Sequence, residues 1–114
     1  MQQALALVDH PNVARVYGSG VTESGRPYFA MEYIPGCTVA SLLERLKGRA
    51  PQELTGDEFW SAAKASTATN GRRADTEIDT RLRGRSWFDT CAWVAQQAAV
   101  ALDHAHRRGV LHRD

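Results

Sequence analysis

An α+β fold is what this sequence predicts. The grounds are a pair of strand signatures near its start, a capped helix after them, and a long alanine-rich helical pattern near its end. The first strand reads from Val13 to Gly18, where Val13, Arg15 and Tyr17 alternate with Ala14 and Val16, and Gly18-Ser19-Gly20 closes it. The second, Tyr28 to Ile34, is rich in aromatic and β-branched residues and ends at Pro35-Gly36. The polar stretch Thr22-Glu23-Ser24-Gly25-Arg26-Pro27 is a turn between them, so the pair reads as a hairpin.

Ahead of the hairpin, Ala4 to Val8 is a short helical pattern that must stop by His10, because Pro11 disfavours the α conformation in the residue before it. After the hairpin, Thr38 is an N-cap for a helix whose Val39, Leu42, Leu43 and Leu46 share a face, with Gly48 as its stop. Lys47 to Arg85 differs in composition: it is rich in Gly, Ser, Thr and Arg and poor in large apolar residues. Thr55 with Glu58 makes a capping box for a helix through about Ala65, and Ser66 to Arg85 has no clear period. This region reads as a partly mobile surface insertion. Its arginines (Arg72, Arg73, Arg81, Arg83, Arg85) could meet an acidic partner, but the interleaved acids Asp75, Glu77 and Asp79 favour a solvated loop. Ser86 caps the longest helix, through about Arg108, with Phe88, Cys91, Ala95, Ala98, Leu102 and Ala105 as an apolar stripe. Arg107 and Arg108 suit its negative end, Gly109 stops it, and Val110 and Leu111 open a buried extended segment.

Composition bounds the function. A chain of 114 residues with 43% hydrophobic and 24% charged residues is globular material, one small domain or part of a larger one. A net charge of +1 gives no footing for nucleic acid or an anionic membrane. Cys37 and Cys91 match no zinc or redox spacing and read as reduced thiols of a cytoplasmic protein. There is no run of transmembrane length, and Met1-Gln2-Gln3 has no basic region of a signal peptide. His104 and His106 are two apart and point to different sides of a helix, so with His112 they read as structural histidines rather than metal ligands.

Certain blocks of sequence stand in a telling order: His10-Pro11-Asn12-Val13, then Gly25-Arg26-Pro27-Tyr28-Phe29-Ala30-Met31-Glu32-Tyr33-Ile34-Pro35-Gly36, then Ala105-His106 to Val110, then His112-Arg113-Asp114. Together they resemble a Ser/Thr protein kinase of the bacterial, eukaryotic-like type, from the end of helix C to the His-Arg-Asp motif. The resemblance covers nearly the whole chain except the insertion. It implies a partial protein-kinase-like fold: residues 1–34 as the end of the N-lobe, 35–46 as hinge and helix D, 47–85 as insertion, and 86–114 as helix E and the start of the catalytic loop. It implies ATP and Mg²⁺ as cofactors of the complete domain, and a protein Ser or Thr hydroxyl as acceptor of the γ-phosphate. No nucleic-acid partner and no membrane segment follow from these residues.

Roles carry over by position. Met31 is similar to the gatekeeper at the back of the adenine pocket. Glu32 and Ile34 resemble hinge residues whose backbone C=O and N–H pair with the adenine edge, and Thr38 sits where kinases often contact the ribose. Leu5, Val16 and His112 fall where a kinase stacks its internal spine. Asp114 is similar to the catalytic base, and Arg113 to the residue that pairs with a phosphorylated activation loop. The rival reading makes Met31 and Tyr33 plain strand core residues and Asp114 a solvated residue.

The chain departs from the family pattern in what a kinase needs around these motifs. No glycine-rich loop or phosphate-binding lysine precedes the hairpin, and Met1 stands where the glutamate pairing with that lysine falls. No second metal-binding asparagine or Asp-Phe-Gly follows Asp114, so the protein metal ligands are absent from these residues. The sequence is thus expected to be a fragment that transfers no phosphate by itself, and to expose apolar surface and either associate or behave as a molten state. Two other functions stay open: a truncated or degenerate kinase segment acting as a binding module, and a small-molecule phosphotransferase of related fold. The latter enzymes favour His-Gly-Asp over the His112-Arg113-Asp114 found here. Flanking translated DNA would separate the possibilities.

Overall fold

The computed structural model describes residues 8–66 and 80–113. The expected helix over Ala4 to Val8, the spine position Leu5, the arginines and acids from Arg72 to Asp79, and Asp114 lie outside the described residues, apart from Val8 itself. The described architecture is α+β: a two-stranded antiparallel hairpin followed by helices. The strands are β1 (Val16–Val21) and β2 (Pro27–Met31), and the α-helices are α1 (Val39–Arg45), α2 (Gly56–Ala65) and α3 (Trp87–Arg107). A 3₁₀ turn, Pro51–Glu53, precedes α2. The chain forms two compact units, one made of residues up to Ile34 together with those from Ala95 onward, the other of Pro35–Val94. None of the described helices is long and apolar enough to cross a membrane.

In the first unit the first strand sits later, and the second ends earlier, than the alternation suggests. β1 begins at Val16, not Val13, and runs through Gly18-Ser19-Gly20, which pair with Ala30, Phe29 and Tyr28. Gly18 faces the small Ala30 across open space, whereas Gly20 faces a large side chain. A Cβ on Gly20 would lie 2.6 Å from the Tyr28 hydroxyl, so the Tyr28 ring packs across the bare backbone there. Between Val16 and Gly18 the register slips, which leaves Tyr17 as a bulged, exposed residue. The turn is as expected, with the Arg26 N–H bonded to the Thr22 hydroxyl and Gly25 at φ 82°. β2 ends at Met31, three residues before the expected Ile34, for a reason given below.

The second unit holds the larger core. Thr38 caps α1 through its hydroxyl, which accepts the Ser41 N–H at 3.1 Å. Leu42 and Leu46 of that helix are buried with Leu54 and Ala62, while Val39 and Leu43 stay exposed, so the buried face is narrower than the spacing implied. Phe59 and Trp87 pack on this cluster with ring centroids 5.9 Å apart. Arg45, at the end of α1, donates to the Ala65 carbonyl and the Ser66 hydroxyl and so ties the ends of α1 and α2 together. The capping residues of α2 are as read from sequence: the Glu58 carboxylate accepts both the Thr55 N–H and the Thr55 hydroxyl, and also pairs with Arg49 at 2.9 Å. The Thr55 amide first, and Arg49 next, hold the Glu58 carboxyl below the usual range. The described part of the expected surface insertion is therefore a correction: Leu54, Ala62 and Leu82 are among the best buried residues of the unit.

Close approach fixes the start of α2. The Gly56 N–H donates to the Arg85 carbonyl, Thr55 and Ser86 form an isolated antiparallel bridge, and a Cβ on Gly56 would run into the Leu82 carbonyl and the Thr90 hydroxyl. Thr90 is fully buried and its hydroxyl donates to the Ser86 carbonyl, inside the first turn of α3. Ser86 caps that helix as expected, its hydroxyl accepting the Asp89 N–H.

The apolar stripe expected along α3 is the wrong face. Phe88, Cys91, Ala95, Ala98 and Leu102 are exposed, and only Ala105 is half-buried. The covered face carries Thr90, Val94, Gln97, Ala101 and His104. An alanine-rich helix offers apolar residues on adjacent faces, and the partners available decide which is used. At its end, the Val110 N–H reaches the Ala105 carbonyl and the Gly109 N–H the His106 carbonyl, a Schellman stop with Gly109 at φ 77°. Val110 is buried as expected, but Leu111 is exposed.

Gly56→Ala is expected to destabilise the chain by about 1–3 kcal/mol, since a backbone carbonyl rather than a movable side chain blocks the added methyl. Urea unfolding followed by tryptophan fluorescence measures it. Glu58 supplies a pH signature: its folded pKa is depressed, so its stabilisation is present above the ordinary carboxyl range and is lost as pH falls through the folded value.

Candidate functional site

The residues assigned by sequence fall at the exit of β2, at the cap of α1, and in the tail after α3. At the exit of β2, Arg15 and Glu32 stand directly opposite each other, one step beyond the Val16–Met31 pair. In a regular antiparallel ladder such a pair exchanges both N–H···O=C bonds. Here one is regular: the Glu32 N–H donates to the Arg15 carbonyl at 2.7 Å. The other is not, because the Arg15 N–H donates at 3.1 Å to the Glu32 carboxylate in place of the Glu32 carbonyl. This ends the strand. Among the described residues nothing bonds to the Glu32 carbonyl or to the Ile34 N–H.

The side chains here are open to solvent. Met31 is 47% exposed, Tyr33 83% and Ile34 59%. Thr38, the ribose-contact candidate, already uses its hydroxyl as the α1 cap. In the tail, His112 and Arg113 are exposed, and Arg113 has φ 62° as the lone described non-glycine residue with positive φ. No hydrogen bond or ion pair between described residues joins His112 or Arg113 to residues 31–34. No described group of three or more His, Cys, Asp or Glu side chains is placed to hold a metal ion.

A polar cleft of about 440 Å³ lies beside this strand exit, lined by Asp9, His10, Pro11, Val13, Arg15, Tyr17 and Glu32. His10-Pro11-Asn12 forms its rim as a tight turn: the His10 Nδ1 accepts the Asn12 N–H at 3.0 Å, and the His10 carbonyl accepts the Val13 N–H. The Asn12 amide then donates to the Gln97 carbonyl and side-chain oxygen, fastening the turn to α3. The Arg15 guanidinium pairs with Asp9 at 2.9 Å. Sequence reasoning used His10-Pro11-Asn12 as a landmark and missed these partners, since Gln97 and His104 lie far along the chain and carry no local signal.

His104 packs on His10 behind this cleft. Its ring lies 5.0 Å from that of His10, its Nδ1 faces the Arg108 guanidinium at 3.2 Å, and its Nε2 is buried without a hydrogen-bond partner among the described residues. Desolvation, with the Arg108 and His10 charges, pushes its pKa below the ordinary imidazole value.

Comparisons with family models, with curated proteins and with solved structures returned no match.

A depressed histidine pKa means the unfolded chain takes the proton first as pH falls. The stability that neutral His104 contributes is therefore complete above about pH 6.5 and declines below it, toward the lower folded value. His104→Gln is expected to flatten that part of the profile. Thermal unfolding between pH 5 and 8, with the His104 ring titration followed by NMR, checks it.

Proposed function

We propose that this chain carries the hinge and the entry to the catalytic loop of a Ser/Thr protein kinase domain, with transfer of the γ-phosphate of ATP, with Mg²⁺, to a protein hydroxyl as the reaction of that domain. The observation that carries the reading is the strand exit. An adenine edge needs a nearby backbone acceptor and donor, and the Glu32 carbonyl and the Ile34 N–H are such groups with no partner among the described residues. In this reading Met31 flanks the base, Asp114 is the base that orients the acceptor hydroxyl, and His112 and Arg113 position it, while Thr38 is a ribose-contact candidate by sequence position alone.

Arg113 favours a protein kinase over a small-molecule phosphotransferase. A left-handed backbone costs an L-residue about 1–2 kcal/mol, and glycine would occupy it freely. An arginine held at φ 62° is explained when its side chain has a task, such as pairing with a phosphate group. The binding-module reading also has an observation in its favour: Tyr17, Val21, Tyr28, Phe29, Tyr33 and Ile34 leave the hairpin largely apolar on its exposed surfaces.

Titration of the ¹⁵N,¹³C-labelled chain with adenosine is expected to shift the Ile34 amide and the Glu32 carbonyl, with guanosine inert at both. Equal response to the two nucleosides, or none, counts against the reading. The 114-residue chain alone is expected to incorporate no labelled γ-phosphate into a protein acceptor. A positioned base contributes only about 10²–10⁴ in rate and does not replace metal ions and phosphate clamps. Incorporation above background that is abolished by Asp114→Asn would refute this. Light scattering is expected to show association through the bare hairpin, and a monomer with a sharp cooperative melt would contradict it.

A further inference from the structure

We propose that the Glu32 side chain is a positioning residue for nucleotide binding: by capturing the Arg15 N–H it keeps its own carbonyl out of the β-ladder and available to the adenine edge. The proposal rests on the kinase reading above and adds to it a residue whose side chain, rather than backbone, prepares the hinge.

The argument is a competition for one donor. The Arg15 N–H faces residue 32 across the hairpin, and the default acceptor at that register is the Glu32 carbonyl. Were it used, the ladder would gain a further regular pair and the carbonyl would be committed. The carboxylate wins because a charged acceptor makes the stronger bond. It is free to do so because the Arg15 guanidinium is drawn off to Asp9, at 2.9 Å, and leaves the Glu32 carboxylate to the backbone. The Glu32 N–H keeps its regular bond to the Arg15 carbonyl, so the segment stays anchored while its other polar edge is released. A side chain that served only to cap the strand would affect stability. A positioning side chain affects where one particular carbonyl points, and therefore base affinity.

Through-hydrogen-bond scalar couplings read this directly in the full 114-residue chain. In the unsubstituted chain the Arg15 amide nitrogen is expected to couple to the side-chain carboxyl carbon of Glu32 and not to its backbone carbonyl carbon. Glu32→Ala is expected to transfer the coupling to the backbone carbonyl of residue 32 and to weaken adenosine binding about tenfold, the worth of roughly one hydrogen bond. Glu32→Gln retains a side-chain acceptor and is expected to keep the side-chain coupling and an affinity within about twofold of the original. Coupling of Arg15 to the backbone carbonyl in the unsubstituted chain overturns the proposal, and so does an unchanged affinity in Glu32→Ala. Should that variant fail to fold, the unsubstituted chain and Glu32→Gln still decide: loss of binding in Glu32→Gln with its coupling intact overturns the proposal. No adenosine response in the unsubstituted chain overturns the kinase reading and the proposal with it, and the coupling pattern distinguishes that result from a failure of the positioning step alone.

Discussion

Where a hairpin stops decides what it can offer, and this one stops because Arg15 finds a carboxylate before it finds a carbonyl. Three features follow from that single bond. β2 ends at Met31, although the apolar pattern continues to Ile34. Beyond the Glu32 N–H, which stays bonded to the Arg15 carbonyl, the described residues supply no partner for the Glu32 carbonyl or the Ile34 N–H. And the Asp9–Arg15 ion pair, exposed and weak as a source of stability, gains a steering role because it keeps the guanidinium off Glu32. The first unit has little else to fix its geometry. A lone two-stranded hairpin is marginal in water, and the described residues of that unit that are apolar and buried are Val8, Ala101 and Val110. Asn12, bonded twice to Gln97, supplies a polar anchor where the core is thin.

Local chemistry was legible in the sequence and long-range choice was not. Thr38, Ser86, the Thr55–Glu58 pair, Gly48 and Gly109 were all readable, because a cap or a left-handed stop depends on residues within a few positions of each other. The limits of the strands were misjudged because alternation reports which side chains could share a face, whereas the ladder is set by its partner strand. Gly18 and Gly20 look like turn residues until Tyr28 is seen packing over one of them. The stripe of α3 failed for a related reason: steps of three and four select several faces of an alanine-rich helix equally. Thr90 against Gly56 and Gln97 against Asn12 pick a covered face that carries polar groups, which no hydrophobicity pattern would select. Composition misled over Lys47 to Arg85, because a segment can be polar on average and still contribute Leu54, Ala62 and Leu82 to a core. The candidate site was legible only as positions in motifs. The commitment of the Thr38 hydroxyl to its cap, and a Glu32 carbonyl with no partner among the described residues, are facts of hydrogen-bond accounting, which a sequence does not print.

The two units differ in what holds them together. The second has a continuous aliphatic and aromatic cluster, with backbone contacts at Gly56 too close to admit a side chain, and it has what a small unit needs to hold its shape. The first is held chiefly by directional polar contacts: the Arg15–Glu32 exchange, the His10 turn, the Asn12 anchor and the Schellman stop at Gly109. Such bonds specify geometry more than they supply net stability. A buried His104 Nε2 left without a partner among the described residues shows that this polar arrangement carries a cost.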